Sequence, residues 1–144
     1  HMPGMDGCEL AGRLRAAAVN RVLLVALTGV SDDAARRRTA AAGFDPVTVG
    51  ADADDHKAYY PGSHRITMRF TGDRGTGRLL GVQLFGHRHA EIAKRIDIAA
   101  AAIFHSMAVD EVSDLDLSYT PPLGSPWDAI QIGAQAWTRA IGPQ

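Results

Sequence analysis

The chain has 144 residues, 46% of them apolar and 22% charged, a globular composition with length for one ordinary domain and a real core. Fifteen Lys and Arg against sixteen Asp and Glu leave a net charge of -1, so no basic field exists to recruit nucleic acid or anionic lipid. The single cysteine, Cys8, excludes an internal disulfide and a Cys-x-x-Cys redox pair, and no apolar run reaches the roughly 20 residues of a membrane span, so reducing cytoplasm is the expected compartment.

In chain order, residues 9–16 place Leu10 and Leu14 four apart with arginines between, the spacing of a short amphipathic helix. Residues 21–29 form a continuous apolar run ending at Gly29, as a buried strand does. Ser31 and Asp32 then offer an N-cap, and residues 33–42, rich in Ala and Arg, predict a helix stopped by Gly43. Pro46 to Val49 opens a strand, and residues 51–57 read as a charged loop. Residues 66–70 alternate apolar with polar, residues 79–86 do so less cleanly, and the glycine-rich stretch 72–77 lies between them, which predicts a β-hairpin. A phosphate cradle would need its amides at a helix N-terminus, whereas a strand follows here. Across residues 90–107, Ile92, Ile96, Ile103 and Met107 recur at helical spacing with alanines between, a long helix that can approach a flat surface closely. Residues 109–115 read as a short acidic turn with Asp110 at its N-cap, and residues 127–141 as a last helix with Ile130, Ala134 and Trp137 on one face. The predicted fold is α+β, an antiparallel β-sheet covered by helices, with an N-terminal helix-strand-helix addition.

Between residues 114 and 128, Pro121, Pro122 and Pro126 fix φ and remove backbone donors, leaving Tyr119 on a stiff ledge. With Tyr59-Tyr60-Pro61-Gly62, the 72–81 glycine loop and Lys94-Arg95-Ile96-Asp97 in that order, residues 44–144 resemble the C-terminal dimerisation domain of flavin-dependent pyridine nucleotide-disulfide oxidoreductases, near the coenzyme A disulfide reductase and NADH oxidase branch. Residues 1–43 are similar to the second half of a response-regulator receiver domain. Met2-Pro3-Gly4-Met5-Asp6-Gly7, Ala26-Leu27-Thr28-Gly29 and Ala41-Ala42-Gly43-Phe44-Asp45 carry that likeness. The receiver's acidic pair and phospho-acceptor would lie before residue 1, and its lysine is replaced by the 46–49 stretch. Thr28 to Asp45 also reads as the lead-in to the oxidoreductase domain. The resemblance implies an N-terminal addition, a natural fusion or a recombinant chimera, on a two-fold homodimerisation domain.

The resemblance further implies that Tyr119, with Tyr59 or Tyr60, crosses the dimer interface to line the partner's flavin-cysteine site, where a phenol can donate to a thiolate or thioester. The alternative is that these tyrosines anchor loops to the sheet. No Gly-x-Gly-x-x-Gly and no flavin-proximal cysteine are present, so neither flavin nor nicotinamide, and no other cofactor, is expected. His87 and His89, with His56, His64 and His105, lack a second ligand pair at metal spacing, so no metal is expected. Asp110, Glu111, Asp114 and Asp116 read as a solvated face rather than an acid-base pair. Arg95 and Asp97 are too close along a helix to pair and should each find a partner elsewhere. Cys8 has no activating neighbour in sequence.

Three functions fit. The first is a free-standing, self-associating dimerisation module, with Trp127, Trp137 and Tyr119 as residue types that anchor interfaces. The second is a cofactor-free isomerase, cyclase or dehydratase that reuses the interface pocket for a small-molecule ligand, with Tyr119, Tyr60 and His56 as catalytic candidates and Trp127 in the wall. The third is a regulator that occupies the dimer face of a full-length oxidoreductase.

Overall fold

A computed structural model of the chain describes residues 22–29, 37 and 39–142. Four strands, β1 (Val22–Gly29), β2 (Pro46–Asp54), β3 (Arg65–Asp73) and β4 (Leu79–His87), form one sheet in the order β1-β4-β3-β2. All three pairings are antiparallel. Three helices follow, α1 (Ile92–Phe104), α2 (Val109–Ser113) and α3 (Ala129–Ile141). The α+β architecture is therefore an antiparallel sheet with its helices gathered on one face.

Period-2 alternation sets which face that is. Along β3, Ile66, Met68 and Phe70 are buried while Arg65, Thr67 and Arg69 are exposed. Helix α1 lies over β4 and β1, and α3 lies over β2 and β3. The core joins Phe70, Leu84, Ile96, Val112, Ile130 and Trp137.

Several elements differ from the sequence expectation. The stretch expected as a charged loop from residue 51 continues β2 to Asp54, because Asp52 and Asp54 point away from the core while Ala53 is buried opposite Ile66. The boundary expected at residues 43 and 44 falls within one sheet, since β1, upstream of it, pairs along β4 from Val22↔His87 to Gly29↔Gly81. Helix α2 has Ala108 at its N-cap, so Asp110 is the second residue of its first turn, and the Glu111 carboxylate accepts the Ala108 N–H at 2.7 Å. Gly43, at φ 92°, ends the helical turn at residues 39–41 as expected. The receiver-like residues 2–7, Cys8, the helix at 9–16 and the Ser31 and Asp32 cap lie outside the described residues.

The 73–78 turn is organised by one carboxylate. Asp73 Oδ1 accepts the Asp45 N–H at 2.6 Å, and Oδ2 accepts the Thr76 N–H at 2.9 Å and the Thr76 hydroxyl. Burial alone would raise its pKa, but the Thr76 hydroxyl and the N–H groups of Asp45, Thr76 and Gly75 together hold it below the ordinary 3.8. The turn thus ties the hairpin to the start of β2, and it is a hairpin turn, not a phosphate loop.

Close approach of α3 to the sheet depends on missing side chains. A Cβ at Gly72 would lie 2.6 Å from Trp137 Cζ2 and 2.9 Å from Val109 Cγ2, and one at Gly133 would overlap the buried Phe70 ring. Gly133→Ala improves helix propensity by about 1 kcal/mol, yet the ring has no room to yield and overpacking costs about 1–3 kcal/mol. The expected result is a lower thermal midpoint, read by circular dichroism. A second expectation concerns acid. Because the folded pKa of Asp73 lies below its unfolded value, its stabilisation is complete above about pH 4 and is lost as pH falls through the folded pKa. Denaturant titrations between pH 2 and 6 should show Asp73→Asn with less acid destabilisation than the parent.

Candidate functional site

Two loops leave the same end of the fold, and each carries tyrosine. The first, residues 55–64, joins β2 to β3 and is closed by Asp55. The Asp55 N–H donates to the His64 carbonyl at 2.9 Å, and Asp55 Oδ1 accepts the N–H of His56 at 2.9 Å and of His64 at 2.8 Å, with the Ser63 hydroxyl at 3.4 Å. Within this frame the Tyr59 and Tyr60 rings are 5.0 Å apart, Tyr59 being 76% exposed and Tyr60 half-buried. Gly62 takes φ 85°, a value that favours glycine in the tight return.

The second loop, residues 114–128, has no regular structure. It turns at Thr120, whose carbonyl accepts the N–H of both Leu123 and Gly124 at 2.8 Å, with Pro121 and Pro122 between. Helix α3 clamps both ends. The Gln131 side-chain amide donates to the carbonyls of Ser113 at 3.2 Å and Leu115 at 2.7 Å, and its oxygen accepts the Asp128 N–H at 2.9 Å. Asp128 is the N-cap and accepts the Ile130 N–H at 3.0 Å. Tyr119, Leu123 and Trp127 stand on this clamped loop at 48%, 71% and 60% exposure.

A buried arginine joins the loops. Arg95, 6% exposed, donates from Nε to both Asp128 oxygens at 3.2 and 2.9 Å, from Nη1 to the Ala90 carbonyl at 2.8 Å and from Nη2 to the Asp55 carbonyl. The expectation that Arg95 pairs away from its own helix is met by Asp128 across 33 residues.

His56, a catalytic candidate, is buried with Nδ1 3.0 Å from Asp55 Oδ1, and its Nε2 has no hydrogen-bond partner among the described residues. That contact selects the Nδ1–H tautomer of the neutral ring and leaves a lone pair on Nε2. His64 stacks on His87 at 4.1 Å and 7°, and parallel rings cannot aim in-plane lone pairs at one ion. Among the described residues no group of three or more His, Cys, Asp or Glu could hold a metal. A cavity of about 230 Å³ is lined by Thr76, Gly77, Asp110, Trp137, Thr138 and Ile141 among others, a wall that includes none of Tyr60, Tyr119, His56 or Trp127. Trp137, expected as an interface anchor, is instead 3% exposed in the core, its indole N–H on the Val47 carbonyl at 2.8 Å.

The clamp residues were not singled out as site residues from sequence, although two signals were present. Asp128-Ala-Ile-Gln131 is an N-cap followed three residues later by glutamine, a capping-box spacing. Arg95 falls in the stripe of Ile92, Ile96 and Ala99, where a cation must find buried acceptors.

Residues 17–129 match the family model for the dimerisation domain of pyridine nucleotide-disulphide oxidoreductases. The CoA-dependent NAD(P)H sulfur oxidoreductase of Pyrococcus furiosus is 36% identical over 113 residues, covering 78% of this chain and 24% of that protein. The coenzyme A disulfide reductase of Staphylococcus aureus is 30% identical over 89 residues, covering 62% of this chain and 20% of that protein. The solved structure of an NAD-dependent persulfide reductase from A. fulgidus superposes with a TM-score of 0.69 at 31% identity, over 79% of this chain and 21% of that one. The chain thus spans about a quarter of the length of the curated relatives it matches.

Removing the Gln131 amide in Gln131→Ala leaves the Ser113 and Leu115 carbonyls without their donor, at about 1–3 kcal/mol. Amide hydrogen exchange is expected to rise at residues 114–128 more than in the strands.

Proposed function

Because the chain belongs to the dimerisation-domain family of pyridine nucleotide-disulphide oxidoreductases, we propose that it self-associates as a two-fold homodimer through its two tyrosine loops. The observation that carries this reading is the exposure of Tyr59, Tyr119, Leu123 and Trp127 on loops whose ends are held by hydrogen bonds from Arg95 and Gln131. Large rigid side chains displayed in this way lose little conformational freedom on association, as interface anchors require. Each copy would present Tyr60 and Tyr119 to the other across the two-fold axis. Relatives named for coenzyme A and sulfur chemistry suggest that the hydroxyls face a thiol, disulfide or thioester, to which a phenol donates. Such chemistry belongs to a reducing cytoplasm, the expected compartment. No helix among the described residues is long and apolar enough to cross a membrane.

A second reading, acid-base chemistry on a small molecule without a cofactor, draws on the Asp55–His56 contact and the buried, unpartnered Nε2 of His56. No hydrogen bond joins His56 to Tyr60 or Tyr119, so self-association is the better-supported function.

Sedimentation equilibrium at micromolar concentration is expected to give twice the monomer mass. Trp127→Ala and Tyr119→Ala should each weaken the dimer by about 2 kcal/mol if they are central anchors. A monomer throughout, or a dimer indifferent to both substitutions, would reject the reading.

A further inference from the structure

The three groups that Arg95 holds are two backbone carbonyls and one cap carboxylate, and they belong to three separate stretches of chain. The Asp55 carbonyl opens the Tyr59 and Tyr60 loop, the Ala90 carbonyl precedes α1, and Asp128 closes the Tyr119 loop. Guanidinium is suited to such a junction, because its five donors are fixed in one plane and a displacement at one acceptor tilts the whole fork. With a relative exposure of 6%, there is little water at hand to replace a lost acceptor, so a shift must be followed by the other partners rather than absorbed.

The Asp128 side adds leverage. Its carboxylate serves the arginine and the Ile130 N–H together, while its own N–H is held by Gln131, whose amide grips Ser113 and Leu115. A change at Arg95 therefore reaches both ends of the loop that carries Tyr119. On the other side, Asp55 is also the acceptor for the His56 and His64 N–H groups that shape the loop carrying Tyr59 and Tyr60.

We infer that Arg95 is a positioning residue that couples the two tyrosine loops, so that they act as one composite surface rather than two independent ledges. In its use this rests on the self-association reading, since a rigid composite surface presents both tyrosine sets to a second copy in one registration.

All three tyrosines lie in these two loops, so ring-carbon-labelled tyrosine read by NMR follows both loops directly, with assignment by Tyr→Phe variants. Asp128→Asn keeps a capping acceptor but removes the charge, and Arg95→Lys keeps the charge but loses the fork. Ser63→Ala, at the half-buried Ser63, trims the opposite loop with less risk to folding. The Trp137 indole N–H, bound to the Val47 carbonyl, reports whether the fold is intact. The expected result is that Asp128→Asn shifts the Tyr59 and Tyr60 signals as well as that of Tyr119, that Ser63→Ala shifts Tyr119, and that Arg95→Lys abolishes this cross-loop transfer while the Trp137 signal stays in place. Loops that respond only to changes within themselves, in the fold-safe Ser63→Ala as in the others, would overturn the inference. Sedimentation on the same samples separates the two ideas. Coupled loops in a monomer would retain the coupling and remove the interface reading, and a dimer with uncoupled loops would do the reverse.

Discussion

Burying a guanidinium in a domain of this size costs several kcal/mol unless it is paired and hydrogen-bonded, and the fold gives each of the three Arg95 nitrogens an acceptor, drawn from three distant stretches. Asp128 supplies the opposite charge, and the Ala90 and Asp55 carbonyls supply oriented dipoles. This demand constrains the rest of the structure. Helix α3 must be capped at Asp128, β2 must give way at Asp54 so that the next carbonyl, that of Asp55, meets the arginine, and the connection before α1 must turn at Ala90. Glu91 follows at φ 50°, a left-handed value uncommon for a residue with a side chain, at the position from which α1 departs. The arginine thus specifies how the helical layer is registered on the sheet, a role for which a buried ion pair is better suited than for raw stability.

Much of the layer arrangement was legible in the sequence because it rests on periodicity. The alternation through Ile66, Met68 and Phe70 and the stripe through Ile130, Ala134 and Trp137 identify the faces that meet. Less legible were features that depend on partners far along the chain. The acidic composition of residues 51–57 resembles a loop, but cross-strand pairing with β3 lets Asp52 sit beside Thr67 and Arg65 on the open face and extends the strand. Trp137 looks like an anchor by residue type, yet Gly72 beneath it opens the space that draws it into the core. Of the site, Tyr119 was marked out by its prolines and the Tyr59–Tyr60 pair by its motif. The Asp55, Arg95 and Asp128 junction was not, since its acceptors are mostly carbonyls, which have no residue identity to read. The resemblance upstream had a similar limit, because an apolar run of strand length such as residues 21–29 suits either family.

Likeness over residues 17–129 establishes the family, whereas the distribution of exposed aromatic side chains concerns what the surface can do. Among the described residues, four of the six exposed large apolar side chains, Tyr59, Tyr119, Leu123 and Trp127, stand on the two loops, and Phe85 and Phe104 stand outside them. The sheet face turned from the helices carries Thr67, Arg69 and Gln83 around one exposed ring, that of Phe85.

The two tryptophans are separated in the same way, and this gives the protein two optical channels. Trp137 is enclosed and its indole N–H is bound to a carbonyl, so its emission is shifted to short wavelength and is shielded from dissolved quenchers. Trp127 faces solvent at 60% exposure, so it emits to the red and is quenched by iodide or acrylamide. Cover over the Trp127 end would move one spectral component and leave the other unchanged, which makes the unlabelled protein its own reporter of surface events against an internal reference for folding.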